Sequence, residues 1–97
     1  MSFKRVSPSE AQNRLNTSQA VLLDIRDADS FNMGHDKRAI NLTQESLPNF
    51  LANTTKETPI LVMCYHGNSS QTVAQFLSDK GFEEVYSING GYEGWNF

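Results

Sequence analysis

One segment of the chain combines a potential nucleophile with a row of hydrogen-bond donors. It reads Cys64, Tyr65, His66, Gly67, Asn68, Ser69 and Ser70, and it lies between the apolar residues 59–63 and a helical apolar pattern. A loop that runs from a strand into a helix collects unpaired backbone N–H groups, which together with the helix dipole favour an anion or a thiolate. Such a position lowers the pKa of a cysteine and makes its sulfur nucleophilic. The sequence therefore predicts that Cys64 is a reactive thiolate and that residues 65–70 bind around it.

The residues alone leave other interpretations of this loop open. A lone cysteine beside an apolar run is often a small buried hydrophobic residue. His66 is as consistent with a surface position as with a general base or a substrate contact. A cysteine-dependent phosphatase would carry the arginine of a C-x5-R loop at position 70, where this chain has Ser70. Since residues 64–70 contain no Arg or Lys to clamp a phosphate, the sequence argues against that class of enzyme.

Four short apolar runs predict the strands that position this loop. They lie at residues 20–25, 39–42, 59–63 and 84–88, and Cys64 directly follows the third. Short runs that are almost continuously apolar are typical of parallel strands buried on both faces. The turn residues Asn89, Gly90 and Gly91 follow the last run.

Helical patterns separate these runs. Ser7 as N-cap, Pro8 in the first turn and Glu10 as the other half of a capping box predict a helix start. A second helix is expected after a cap at Thr43, and a third includes residues 73–77, with a glycine beyond its end at position 81. Alternating strands and helices indicate an α/β fold. We expect one domain over residues 1–97, with a mainly parallel central β-sheet and helices on both faces.

Composition narrows the classes of function. The single cysteine excludes an intrachain disulfide, a CxxC redox pair and a multi-cysteine metal site. No apolar run approaches the roughly 20 residues of a membrane span, and the first residues show no apolar signal segment. We therefore expect a cytoplasmic protein that does not associate with a membrane.

The charge distribution argues against a nucleic-acid partner. Eight basic and eleven acidic residues give a net charge of −3. Residues 1–63 carry seven of each sign, so the whole acidic excess follows position 63, where Lys80 faces four carboxylates. A nucleic-acid surface needs a basic field, and the sequence does not supply one.

Several motifs, taken in order, resemble the rhodanese-like sulfurtransferase family. They are Asp24-Ile25-Arg26, Phe31-Asn32-Met33-Gly34-His35, the strand that leads into Cys64, and Gly90-Gly91-Tyr92-Glu93-Gly94-Trp95. Together they span nearly the whole chain. The sequence departs from the family pattern at Asp36-Lys37-Arg38-Ala39, where an apolar residue and a Gly-Ala pair are common, and His66 is the only basic residue of the loop.

The resemblance implies a thiosulfate sulfurtransferase that works by double displacement. Cys64 would take the outer sulfur of thiosulfate as a persulfide and pass it to cyanide, a thiol or a dithiol such as that of a thioredoxin-like protein. Residues 65–70 would bind substrate and persulfide, and Asp24, Arg26, Gly90 and Gly91 would support the loop. Neither a metal nor a cofactor is implied, and we expect a monomer or a weak dimer.

Two other functions remain as alternatives. A rhodanese-like binding or regulatory module would share the fold without turnover, although its inactive members often lose the cysteine that this chain retains. A single-cysteine redox protein would need glutathione or a second chain to resolve its disulfide.

Overall fold

The apolar runs form one parallel sheet at the centre of the molecule. The computed structural model describes residues 2–95, and its strands are β1 (Lys4–Val6), β2 (Val21–Asp24), β3 (Ala39–Asn41), β4 (Ile60–Met63) and β5 (Val85–Ile88). They lie in the order β1-β5-β4-β2-β3, and every adjacent pair is parallel. The connecting helices are α1 (Pro8–Thr17), α2 (Ala28–Met33), α3 (Leu47–Asn53) and α4 (Ser69–Asp79), and a 3₁₀ turn covers Tyr92–Gly94. These elements confirm the predicted α/β fold with a parallel sheet.

The sheet separates two apolar clusters, as a strand buried on both faces requires. On one face Ile60 and Val62 of β4 pack with Phe50 of α3 and Leu77 of α4. On the other face the intervening strand residues pack with α1 and the C-terminal turn, in a cluster of Val6, Ala11, Leu22, Leu61, Met63, Tyr86, Ile88 and Trp95. All four residues of β4 are buried, which is why this strand reads as a continuous apolar run. The predicted helices on both faces are confirmed.

The strand order creates a crevice beside the end of β4. β2 and β4 are neighbours in the sheet, but the chain continues from them in opposite directions. From β2 it runs to β3, toward one edge of the sheet, and from β4 it runs to β5, toward the other edge. In open parallel sheets such a switch point is where ligands bind, outside the carboxyl ends of the strands. Cys64 follows the last residue of β4, so the fold places it in this crevice.

Local details differ from the sequence predictions at two helix starts. The Ser7 side chain caps α1 by accepting from the N–H of Glu10, at 3.1 Å, but the Glu10 carboxylate accepts from Arg14 instead of completing a capping box. Helix α3 begins at Leu47 with Ser46 as its N-cap, so the expected cap at Thr43 is wrong by three residues. Thr43 and Ser46 exchange side chain–backbone hydrogen bonds and form a turn that delays the helix.

Two Asp-x-Arg triplets adopt the same forked geometry in different surroundings. In each triplet, the backbone N–H and the Nε of the arginine donate to Oδ1 of the aspartate. The Nη2 of the arginine donates to Oδ2, at 2.7 Å between Arg26 and Asp24 and at 2.9 Å between Arg38 and Asp36. The first pair is buried, whereas the Arg38 side chain is 33% exposed. The hydrogen bonds from Arg38 hold the pKa of Asp36 well below its usual value, and this carboxylate accepts from Trp95 Nε1 at 3.0 Å.

Within the described residues, no helix is both long and apolar enough to cross a lipid bilayer.

The matched triplets give a test of the buried ion pair. We expect Arg26→Met to lower the free energy of unfolding by about 3–5 kcal/mol, because it leaves the carboxylate of Asp24 buried without its partner. Arg38→Met removes the same fork where the arginine is 33% exposed, and it should cost less than Arg26→Met because Trp95 Nε1 still donates to the Asp36 carboxylate. Chemical denaturation of both variants measures the difference, and equal losses would contradict the assignment of Arg26 as a buried structural partner.

Candidate active site

The sulfur of Cys64 lies at the point where β4 ends and α4 approaches. The residue is 3% exposed, and its Sγ accepts a hydrogen bond from the backbone N–H of Gly67 at 3.1 Å. Sγ also lies 3.3 Å from Oγ of Ser70, a fully buried residue in the first turn of α4. The loop therefore encloses the sulfur between backbone and hydroxyl donors at a helix N-terminus.

Hydrogen bonding outweighs burial in setting the charge of this thiol. Burial is the largest single influence and raises the pKa of Cys64. The Ser70 hydroxyl and the backbone N–H groups of Ser70, Gly67 and His66 act in the opposite direction, and together they bring the pKa below its ordinary value. This is the direction that the sequence predicted, and it favours a nucleophilic thiolate.

Two glycines allow the loop and the turn after β5 to approach each other closely. Gly67 has φ +98°, and a Cβ at this position would lie 2.8 Å from the backbone nitrogen of Gly90. Gly91 has φ +56°, and its Cβ would lie 2.4 Å from the carbonyl oxygen of Cys64. Contacts this short exclude any side chain at either position. The predicted tight turn at Gly90 and Gly91 is therefore present, and it packs directly on the backbone of the cysteine.

The 3₁₀ turn after Gly91 fixes the start of the loop through its backbone. The N–H of Tyr92 donates to the carbonyl of Cys64 at 2.7 Å, and the N–H of Glu93 donates to the carbonyl of Tyr65 at 3.2 Å. On the other side, the Gln71 side chain donates to the carbonyl of Gly67 at 2.9 Å. Because these carbonyls are held outward, the N–H groups of the loop remain directed at the sulfur.

Asp24 is the last residue of β2, the strand next to β4, and its ion-pair partner Arg26 follows two residues later. The Arg26 side chain donates to the carbonyl of Gly34 at 2.8 Å, and its guanidinium lies 3.8 Å from the centre of the Tyr92 ring. The backbone N–H of Ile25 donates to the carbonyl of Met63 at 2.9 Å. Arg26 thus contacts the turn after β5, and the backbone between Asp24 and Arg26 is hydrogen-bonded to the residue before the cysteine.

The exposed side chains of the loop point to different partners. The Tyr65 hydroxyl contacts Asp27, the N-cap of α2, and lies 3.1 Å from Ser30 Oγ. His66 Nδ1 is 3.3 Å from a carboxylate oxygen of Glu93, and both side chains are largely exposed. Asn68 and Ser69 are exposed, and within residues 2–95 neither side chain hydrogen-bonds to the sulfur. Of the three predicted side-chain donors, only Ser70 reaches Cys64.

A polar residue behind Ser70 is absent from the site residues predicted from the sequence. Ser87 of β5 is fully buried, and its Oγ is 2.7 Å from Ser70 Oγ. A serine in the middle of the buried run Val85-Tyr86-Ser87-Ile88 was the available signal, because a buried hydroxyl needs a hydrogen-bond partner.

Fold and site together define a class: an α/β domain with one cysteine whose sulfur accepts a backbone hydrogen bond between a central strand and a helix. A family model described as the rhodanese-like domain matches residues 7–97. A curated relative, thiosulfate sulfurtransferase GlpE of Tolumonas auensis, is 54% identical over 93 residues, which cover 96% of this chain and 88% of the relative. The chain belongs to the rhodanese-like domain family.

Solved structures agree on the fold. A rhodanese-like domain protein of Staphylococcus aureus superposes with a TM-score of 0.83 at 23% identity, covering 97% of this chain and 92% of its own. A human single-domain sulfurtransferase gives 0.81 at 21% identity, with coverage of 94% and 93%. The family model and the curated relative confirm the predicted resemblance to rhodanese-like proteins, and these structures share its fold.

The contact between Gly91 and Cys64 can be tested by adding one methyl group. We expect Gly91→Ala to lower the free energy of unfolding by about 1–3 kcal/mol through backbone strain, and to slow alkylation of Cys64 at neutral pH because the loop is displaced. Gly94→Ala is the control, since a Cβ there meets nothing within 4 Å. If both variants alkylated at the wild-type rate, the turn would not position the sulfur.

Proposed function

We propose that this chain is a thiosulfate sulfurtransferase in which Cys64 carries the transferred sulfur as a persulfide. An enzyme of the sulfurtransferase type is what the family and the 54%-identical thiosulfate sulfurtransferase indicate. The observation that carries the proposal is the Cys64 sulfur itself, held at the end of β4 by the Gly67 N–H and beside the Ser70 hydroxyl.

The first half-reaction transfers one sulfur atom to the enzyme. The Cys64 thiolate attacks the outer sulfur of thiosulfate and forms a new S–S bond. The S–S bond of thiosulfate breaks, and its electron pair leaves with sulfite. Since sulfite departs as an anion, no side chain has to donate a proton to it, and the exposed position of His66 is compatible with the reaction.

The second half-reaction regenerates the thiolate. Cyanide, a thiol or a dithiol attacks the outer sulfur of the persulfide, and the S–S bond breaks with its electron pair returning to Cys64 Sγ. Two half-reactions through one covalent intermediate give ping-pong kinetics. A small thiol or a thioredoxin-like dithiol is the acceptor class we propose for the cell, and the lone thiol fits a cytoplasmic location.

The loop contributes fixed dipoles to both half-reactions. The N–H groups of residues 66, 67 and 70 already lie around the sulfur, so they need no reorientation when charge returns to it. Gly67 and Gly91 act by keeping this backbone in place, and Asp24 and Arg26 act through the segments on either side.

Mass spectrometry tests the persulfide directly. After incubation with thiosulfate and removal of excess reagent, we expect the intact protein to gain one sulfur atom, about 32 Da, and to lose it on addition of cyanide. Cys64→Ser should show no gain, because Cys64 is the only cysteine of the chain. A folded wild-type protein with a free thiol and an unchanged mass would refute the proposal and would leave a binding module as the better account.

Substrate affinity gives a second test. The loop offers neutral hydrogen-bond donors and His66 to thiosulfate, which is a dianion. Because the chain as a whole is negatively charged, it does not attract thiosulfate at long range. We therefore expect the KM for thiosulfate to lie near or above the upper end of the usual range, which is about 1 mM. Initial rates of thiocyanate formation measure it, and a value in the low micromolar range would contradict this account of the site.

A further inference from the structure

A buried pair of serine hydroxyls continues the hydrogen-bond chain behind the reactive sulfur. Ser70 Oγ lies 3.3 Å from Cys64 Sγ and 2.7 Å from Ser87 Oγ. Both serines are fully buried, and they come from different elements, α4 and β5. Among the hydrogen bonds of the described residues, the Ser87 side chain has Ser70 as its partner. A polar side chain in a strand whose other residues are all apolar or aromatic has to be explained by that contact.

The charge on the sulfur determines which groups donate and which accept in this hydrogen-bond chain. A thiol can donate its proton to Ser70 Oγ, and the Ser70 hydroxyl can then donate to Ser87. A thiolate has no proton and only accepts, so Ser70 must turn its single proton toward the sulfur. The Ser70 oxygen is then an acceptor, and the Ser87 hydroxyl is the group 2.7 Å away that can donate to it.

We propose that Ser87 is a positioning residue for the sulfur-transfer reaction: by donating to Ser70, it holds the Ser70 hydroxyl in the orientation that stabilises the Cys64 anion. The inference rests on the function proposed above for Cys64, although its test does not. Both O–H dipoles then point toward the negative charge, and hydrogen bonds in such a chain polarise and strengthen each other. Ser87 therefore stabilises the thiolate more than the thiol.

Other groups near the sulfur do not replace this contribution. The titratable and charged side chains on the segments that adjoin Cys64 are Tyr65 and His66 on its own loop, Tyr92 and Glu93 on the turn after β5, and Asp24, Arg26 and Asp27 at and beyond the end of β2. Tyr65 contacts Asp27, His66 lies beside Glu93, and Arg26 is engaged with Asp24 and stacked on Tyr92. Each of these seven groups has a partner other than the sulfur, whereas the Ser70 hydroxyl, among residues 2–95, hydrogen-bonds with Cys64 and Ser87.

The pH dependence of Cys64 alkylation by iodoacetamide measures the effect, and it reports one site because the chain has one cysteine. We expect Ser70→Ala to raise the midpoint by about 1 pH unit and Ser87→Ala by about 0.5. Below the midpoint, alkylation should be about tenfold slower in Ser70→Ala and about threefold slower in Ser87→Ala, and both variants should react at the normal rate at high pH. In a Ser70→Ala background, Ser87→Ala should shift the midpoint no further. Ser78→Ala, at a buried serine farther along α4, is the control and should leave the midpoint unchanged.

An isosteric pair separates the hydroxyl from its packing. Ser87→Thr keeps a hydroxyl and Ser87→Val replaces it with a methyl group of the same shape, so their midpoints should differ by about 0.5 pH unit even if Ser87→Ala is poorly folded. Equal midpoints for these two variants, or an undiminished shift from Ser87→Ala in the Ser70→Ala background, would overturn the proposal. Sulfur uptake by the wild type is measured separately, so a protein that takes up no sulfur would refute the proposed function while the alkylation profiles still decide the role of Ser87.

Discussion

A nearly buried sulfur surrounded by neutral hydrogen-bond donors is the constraint on which the rest of this structure depends. Burial alone raises the pKa of Cys64, so the anion exists at lower pH only if several donors are directed at one atom. Backbone N–H groups can supply them where a strand ends and a helix begins, since the first turn of a helix has N–H groups without intrahelical partners. The position of Cys64, directly after β4 and before α4, satisfies that requirement.

Keeping those donors in place requires a second segment of chain. An isolated loop could rotate its peptide groups away from the sulfur, but the carbonyls of Cys64 and Tyr65 are engaged by N–H groups of the 3₁₀ turn after β5. The turn can approach so closely because Gly67 and Gly91 leave room for backbone against backbone. Since β5 is the sheet neighbour of β4, both segments leave the same edge side by side. The parallel sheet therefore determines the geometry of the loop as well as its location.

The sequence predicted what depends on local patterns and missed what depends on distant contacts. A continuous apolar run ending at Cys64 indicates a central strand, and Ser7 indicates a helix cap, because both signals lie within a few residues. Ser87 stands out as a polar residue in an apolar run, but the sequence does not name its partner: Ser70 is seventeen residues away, and their contact depends on how α4 packs on β5. Strand β1 has three residues, two of them exposed, so it shows neither an apolar run nor clear alternation. Thr43 and Ser46 are both good caps, and only the hydrogen bonds between them decide where α3 begins.

The sulfur of Cys64 is held by neutral donors, without Lys or Arg in the loop. In the proposed cycle Cys64 must hold negative charge as a thiolate, lose it to a covalent bond, and recover it when the acceptor removes the outer sulfur. An adjacent Lys or Arg would stabilise the resting thiolate strongly, and stabilisation of the ground state lowers nucleophilicity without lowering the barrier. Hydrogen bonds divided among several N–H groups and one hydroxyl stabilise the anion while leaving each contact weak enough to lengthen as the new bond forms. The hydroxyl of Ser70 can also reverse its direction when the sulfur becomes neutral, which a fixed positive charge cannot do. The absence of Lys and Arg from residues 64–70 is therefore consistent with the chemistry proposed for this loop.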